Sequence, residues 1–139
     1  MQTILVPISP GELLDKITIL RIKSKRMTDP QKLANVRHEL EQLEETWREA
    51  IGEADVRAEE RALEEVNARL WVIEDDIRDQ EAAQSFAARF IELARAVYFE
   101  NDERAAIKKR INTRLGSKIV EEKSYKDYGA RGRPDTQGK

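Results

Sequence analysis

The chain has 139 residues, of which 27 are acidic and 25 basic, for a formal net charge of −2. It therefore has no overall basic field to hold nucleic acid, and any anion site has to be local. The absence of cysteine excludes disulfides, a thiolate metal site and a cysteine nucleophile. A chain of this length buries roughly 68% of its unfolded surface and can form a core without staples, so residues 1–128 read as a single helical domain.

Thr3 to Ile8 reads as an extended segment, because Ile4, Leu5, Val6 and Ile8 favour strand and Pro7 forbids a helix interior. The opening residues carry neither a basic region nor an apolar run long enough for a signal peptide or a membrane span, so the protein is expected to be soluble and cytoplasmic, with no membrane partner. Ser9, Pro10 and Glu12 then form a helix start: Ser9 caps, Pro10 suits the first helical position and Glu12 is placed to reach back to the cap amide. The first helix runs to about Arg26. Its apolar residues Leu13, Leu14, Ile17, Ile19, Leu20 and Ile22 wrap more than one face, which implies two neighbours and the most buried position.

Asp29 and Pro30 open a second helix, about 30–51, with the stripe Leu33, Val36, Leu40, Leu43, Trp47, Ile51. After an acidic turn at Gly52 to Asp55, a third helix, about 55–81, repeats the pattern with Leu63, Val66, Leu70, Ile73 and Ile77. Each stripe has to be covered, and the short turn makes each the other's nearest cover, so the centre of a mainly α fold is expected to be an antiparallel helical hairpin resembling a coiled coil. An alanine-rich aromatic helix from Phe86 to Phe99 is expected to dock on the first helix. Glu100 to Glu103 interrupts the apolar spacing, which predicts a break and a last helix from about Asp102 to Leu115, stopped by Gly116. Ile119 and Val120 again look extended, so the two termini are expected to pair in a small two-stranded ribbon. Residues 129–139 have no apolar side chain larger than alanine or proline and read as a disordered tail.

Two polar clusters adjoin the apolar stripes. On the third helix Asn67, Trp71, Glu74 and Arg78 share one strip; the plainer alternative is a solvated Glu74–Arg78 pair one turn apart. On the last helix Asn101, Arg104, Lys108 and Asn112 fall on one strip beside Ile107 and Ile111, and two cations one turn apart near a helix start suit a carboxylate or phosphate; the plainer alternative is capping and solvated charge. Asp15, inside the apolar first helix, needs a partner, and a cation such as Arg104, Arg78 or Lys108 would join the clusters into one site. No cofactor or metal is implied: there is no glycine-rich loop, no Glu-x-x-His motif, and the single histidine, His38, lies on the outward side of its helix. The basic residues of the tail, Arg131, Arg133 and Lys139, do not amount to a nucleic-acid site in a near-neutral chain.

The blocks Val-Pro-Ile-Ser-Pro-Gly-Glu-Leu-Leu-Asp-Lys-Ile-Thr-Ile-Leu, Leu-Trp-Val-Ile-Glu-Asp-Asp-Ile-Arg, Ala-Val-Tyr-Phe-Glu-Asn-Asp-Glu-Arg-Ala-Ala-Ile-Lys and Ile-Val-Glu-Glu-Lys-Ser-Tyr resemble, in that order, a family of small bacterial proteins classed as a domain of unknown function. The resemblance implies no activity; it hints only at the company of glycosyl-transfer and surface-polysaccharide genes. Two functions follow as expectations. The first is a protein-interaction or self-associating module, in which a homo-oligomer or protein partner covers whatever the first helix leaves open on the hairpin. The second is a small enzyme or binding module for an anionic metabolite such as a phosphorylated or nucleotide-linked sugar, with Arg104, Lys108 and Arg78 as anion clamps and Asp15 or Glu74 as acid or base.

Overall fold

A computed structural model describes residues 1–129 and Pro134; the expected disorder of the tail falls almost wholly on residues outside that set. Ser9 Oγ accepts from the Glu12 amide at 3.1 Å and Pro10 takes the first turn of α1 (Pro10–Arg26). Asp29 accepts from the Lys32 amide at 3.0 Å and opens α2 (Pro30–Ile51). α3 (Arg57–Ala82) and α4 (Ala88–Arg114) follow, each without a side-chain cap. Gly116 ends the helical part of the chain at φ +66°, a left-handed conformation that glycine adopts without steric cost. The protein is mainly helical, with four helices and no strand among the described residues.

The pairing of the helices differs from the expected hairpin by one step. α1 packs on α2, α3 packs on α4, and α1 also lies against α3 and α4, whereas α2 and α3 make no close backbone approach. The expected seam between the second and third helices is thus occupied by α1. Leu13, Leu14 and Ile17 of α1 form one core with Trp47 of α2, Leu63 and Val66 of α3, and Ile107 and Ile111 of α4, with Leu40 and Leu43 packed on its edge. The reason lies in α1 itself. Leu14, Ile17 and Thr18 are fully buried on a helix that is apolar around much of its circumference, so covering α1 on several sides removes more apolar surface from water than pairing two single-striped helices. Arg21 secures this arrangement at the polar edge, reaching Glu44 of α2 at 3.1 Å and Glu60 of α3. Burial works against its charge, but the bonds to both carboxylates outweigh it and raise the guanidinium pKa above its ordinary value.

The fourth and fifth expected helical pieces are one. α4 runs unbroken through Glu100–Glu103 because these residues are tied to α3 in place: Arg69 Nε bonds Glu100 Oε2 at 3.0 Å and Arg69 Nη2 meets Glu103 at 3.2 Å. Glu100 is only 3% exposed. The alanine-rich half of α4 also docks elsewhere than expected, since Leu93 and Ala96 pack with Ile73 of α3, while Ile107 and Ile111 in the second half meet α1.

The two-stranded ribbon does not form. Residues 1–8 are exposed, and residues 117–129 run back along α4 as a strap without strand pairing. Side chains rather than backbone hold the strap: Glu121 meets Lys108 Nζ at 3.2 Å and accepts from the Ser9 hydroxyl, and Tyr128 donates to Asp102 Oδ2 at 2.5 Å. A strand ladder needs backbone hydrogen bonds between the two segments, and among the described residues none joins them.

The tightest contact in the fold is where the start of α1 meets α4. The Gly11 amide donates to Asn112 Oδ1 at 2.7 Å, and a Cβ on Gly11 would lie 2.6 Å from the Lys108 carbonyl oxygen and 2.9 Å from Asn112 Oδ1. Because the first obstacle is backbone, the helices would have to move apart. Gly11→Ala is therefore expected to destabilise the fold by about 1–3 kcal/mol, the usual cost of overpacking. Chemical denaturation checks this, and an unchanged midpoint and slope would show that the approach is looser than described.

Candidate anion-binding site

Each candidate side chain has a defined place. Asp15 is buried on α1, but its partner is an amide rather than the expected cation: Asn67 Nδ2 of α3 donates to Asp15 Oδ1 at 2.8 Å and to Thr18 Oγ1 at 3.0 Å, while the Thr18 hydroxyl donates to the Asp15 carbonyl at 2.9 Å. The site's expected acid or base is thus enclosed in a network that joins α1 to α3. These bonds among the three side chains are what makes their burial tolerable.

Lys108 and Asn112 are also committed to holding α1. Lys108 Nζ bonds Glu12 Oε2 at 2.6 Å, and Glu121 closes on the other side. Burial disfavours the Lys108 ammonium, yet the hydrogen bonds it donates to Glu12 and Glu121, with the charges of Glu12 and Asp15, raise its pKa above that of an ordinary lysine. Glu121 is correspondingly held below the usual carboxylate range, first by the Ser9 hydroxyl and then by Lys108. Glu12 was expected to bond back to the cap of its own helix; Lys108 takes its carboxylate instead. Asn112 accepts from Gly11.

What remains converges. Glu74, Arg78, Asn101 and Arg104 line one groove of about 490 Å³ between α1, α3 and α4, together with Trp71 and the outer side of Asn67. Sites for small ligands have volumes of about 300–1,000 Å³. The strip on α3 and the strip on α4 face each other here because α1 is too short to cover both helices along their length: it spans 17 residues against 26 and 27. Ile19 and Ile22 of α1 close one side of the groove. Glu74 and Arg78 do make the plain i,i+4 pair, at 3.3 Å and well exposed, so that pair is a rim contact worth little in itself.

Arg104 differs from the other half-buried arginines. Five arginines are half-buried among the described residues: Arg21, Arg69, Arg89, Arg95 and Arg104. Arg21 and Arg69 have two carboxylates each, Arg89 meets Asp76 at 3.7 Å and Glu92 at 3.4 Å, and Arg95 lies over the Phe99 ring. Arg104 has no hydrogen bond or ion pair with any described residue. A guanidinium carries five donors in a rigid fork, so one left unpaired in a groove presents a bidentate receptor for a planar anion.

Periodicity placed Arg104, Asn101, Glu74 and Arg78 on their strips, but not the strap. The roles of Ser9 and Glu121, more than a hundred residues apart, leave no periodic signal, nor does the contact of Tyr98 on α4 with Tyr128 on the strap. No helix among the described residues is long and apolar enough to cross a membrane. No group of three or more His, Asp or Glu side chains among them is arranged to hold a metal ion.

No curated protein and no solved structure matches this chain. A family model does, over residues 4–136, and on that match the chain belongs to the Family of unknown function (DUF6165).

Proposed function

We propose that this protein binds a small anionic metabolite through a carboxylate or phosphate held by Arg104, in the groove between α1, α3 and α4. One observation carries the reading: among the described residues Arg104 is the half-buried arginine without a partner, where every comparable arginine has one. The groove supplies what such a ligand needs. Asn101 offers an amide beside the guanidinium, Trp71 an apolar wall, and Arg78 a second cation whose long, exposed bond to Glu74 is easily exchanged for a ligand contact. Asp15 is enclosed by Asn67 and Thr18, so Glu74 and its neighbour Asp75 are the carboxylates available for any proton transfer at the groove. Phosphorylated and nucleotide-linked sugars are the first ligands of this class to try.

Self-association is a second reading, and one specific observation favours it. Ile4, Leu5 and Val6 stand 75%, 89% and 65% exposed on the amino-terminal arm, an apolar segment that a second copy would cover. The hairpin seam no longer supports this reading, because α1 occupies it. Light scattering over a range of concentrations is expected to show a dimer that Leu5→Lys dissociates; a strictly monomeric species at high concentration would remove this reading.

For the leading reading, a thermal-shift screen of sugar phosphates, nucleotides and dicarboxylates, followed by titration calorimetry, is the direct test. Arg104→Ala is expected to weaken the bound anion by about 10- to 100-fold, the range for losing charge-assisted hydrogen bonds. Arg104→Lys is expected to recover only part of that, since a point charge does not reproduce the fork. Because Arg104 has no described protein partner, the melting temperature of the unliganded variant should stay close to that of the parent. Failure of every anion to bind, or binding indifferent to Arg104, would refute the assignment.

A further inference from the structure

Arg104 is shared by a second cleft. This one, about 1,040 Å³, lies between the middle of α4 and the strap, and Lys123, Lys126 and Asp127 border it. Its walls are aromatic. All three tyrosines of the chain line it: Tyr98 on α4, and Tyr125 and Tyr128 on the strap, together with Phe99. Tyr98 and Phe99 stack at 5.4 Å, and Tyr128 sets its edge against both at 5.0 Å. The hydrogen bond from Tyr128 to Asp102 fixes that ring and pushes its hydroxyl pKa up to about 12, so it stays a neutral donor.

The Tyr98 and Tyr128 rings are held in place by these contacts but not used up, and Tyr125 stands open at the mouth of the cleft. Tyr98 and Tyr128 remain 43% exposed and Tyr125 80%, with Lys123 Nζ 5.6 Å from the Tyr125 ring centroid. Ordered aromatic faces beside cations favour a planar ring, which stacks on them whatever its pattern of hydrogen-bonding groups. One guanidinium forms the corner of both clefts, so an anion seated on it places the rest of its molecule within reach of these rings. Building on the anion reading, we infer that the ligand is a nucleoside phosphate, its phosphate on Arg104 and its base against Tyr98, Tyr125 and Tyr128.

Calorimetric titration with nucleoside monophosphates, ribose 5-phosphate and inorganic phosphate separates this inference from the reading it rests on. A nucleoside monophosphate is expected to bind at least about tenfold more tightly than ribose 5-phosphate, the margin that stacking one base supplies. Tyr125→Ala, at an exposed position that the fold tolerates, should erase most of that margin and leave ribose 5-phosphate unaffected, whereas Tyr125→Phe should keep it. Tyr98→Ala provides a second, independent loss of stacking. Equal affinity for the nucleotide and the ribose phosphate, with both still dependent on Arg104, would overturn the inference and leave the anion site standing. If no phosphate or carboxylate binds, or if Arg104→Ala changes nothing, both fall together.

Discussion

The first helix is apolar around more of its circumference than one neighbour covers, and the remaining helices are arranged by that constraint. Burying Leu14 and Ile17 completely requires α2 on one side and the α3–α4 pair on the other. At roughly 25 cal/mol per Å² of apolar surface removed from water, this central position is the strongest organising term available to a chain with no disulfide. The polar contacts follow: Gly11 is small enough to let α4 close on α1, Asn67 satisfies Asp15 where the helices cross, and Arg21 joins α2 and α3 across the edge of α1.

The same arrangement leaves a site. α1 is ten residues shorter than α4, so beyond its contact region the facing strips of α3 and α4 are covered by no helix. Carboxylates on either side are taken up elsewhere: Glu100 and Glu103 by Arg69, Glu12 and Glu121 by Lys108. Arg104 bonds none of the described carboxylates, Glu74 and Asp75 of the same groove included. Leaving a guanidinium half-buried and unpaired has a cost that an anionic ligand would remove. The strap adds the second wall, bringing Tyr125 and Tyr128 to Tyr98 on α4.

Several features were legible in the sequence because they are local. The caps at Ser9 and Asp29, the stop at Gly116 and the stripes of α2 and α3 depend on residues within a few positions of one another. The pairing of the helices was not legible, because a stripe states that a face is buried without stating against what. The apolar faces of Ile17, Leu20 and Ile22 already implied two neighbours for α1, yet sequence proximity favoured pairing α2 with α3. The predicted break at Glu100–Glu103 failed for a related reason: Arg69 lies on another helix, and a run of charged residues reads as a break until its partner is known. The candidate site divided in the same way. Lys108 and Asn112 were on the right strip, but their contacts with Glu12 and Gly11 assign them to holding the fold, while Arg104, Asn101, Glu74 and Arg78 face the groove.

The central position of α1 is tested most directly by residue-resolved amide hydrogen exchange under native conditions. The slowest amides should be those of Leu13 to Ile22, opening only with global unfolding, while α2, whose backbone closely approaches no helix but α1, should exchange faster. If α2 and α3 proved the most protected pair and α1 opened ahead of them, the two rods would form the core by themselves and the arrangement described above would be contradicted.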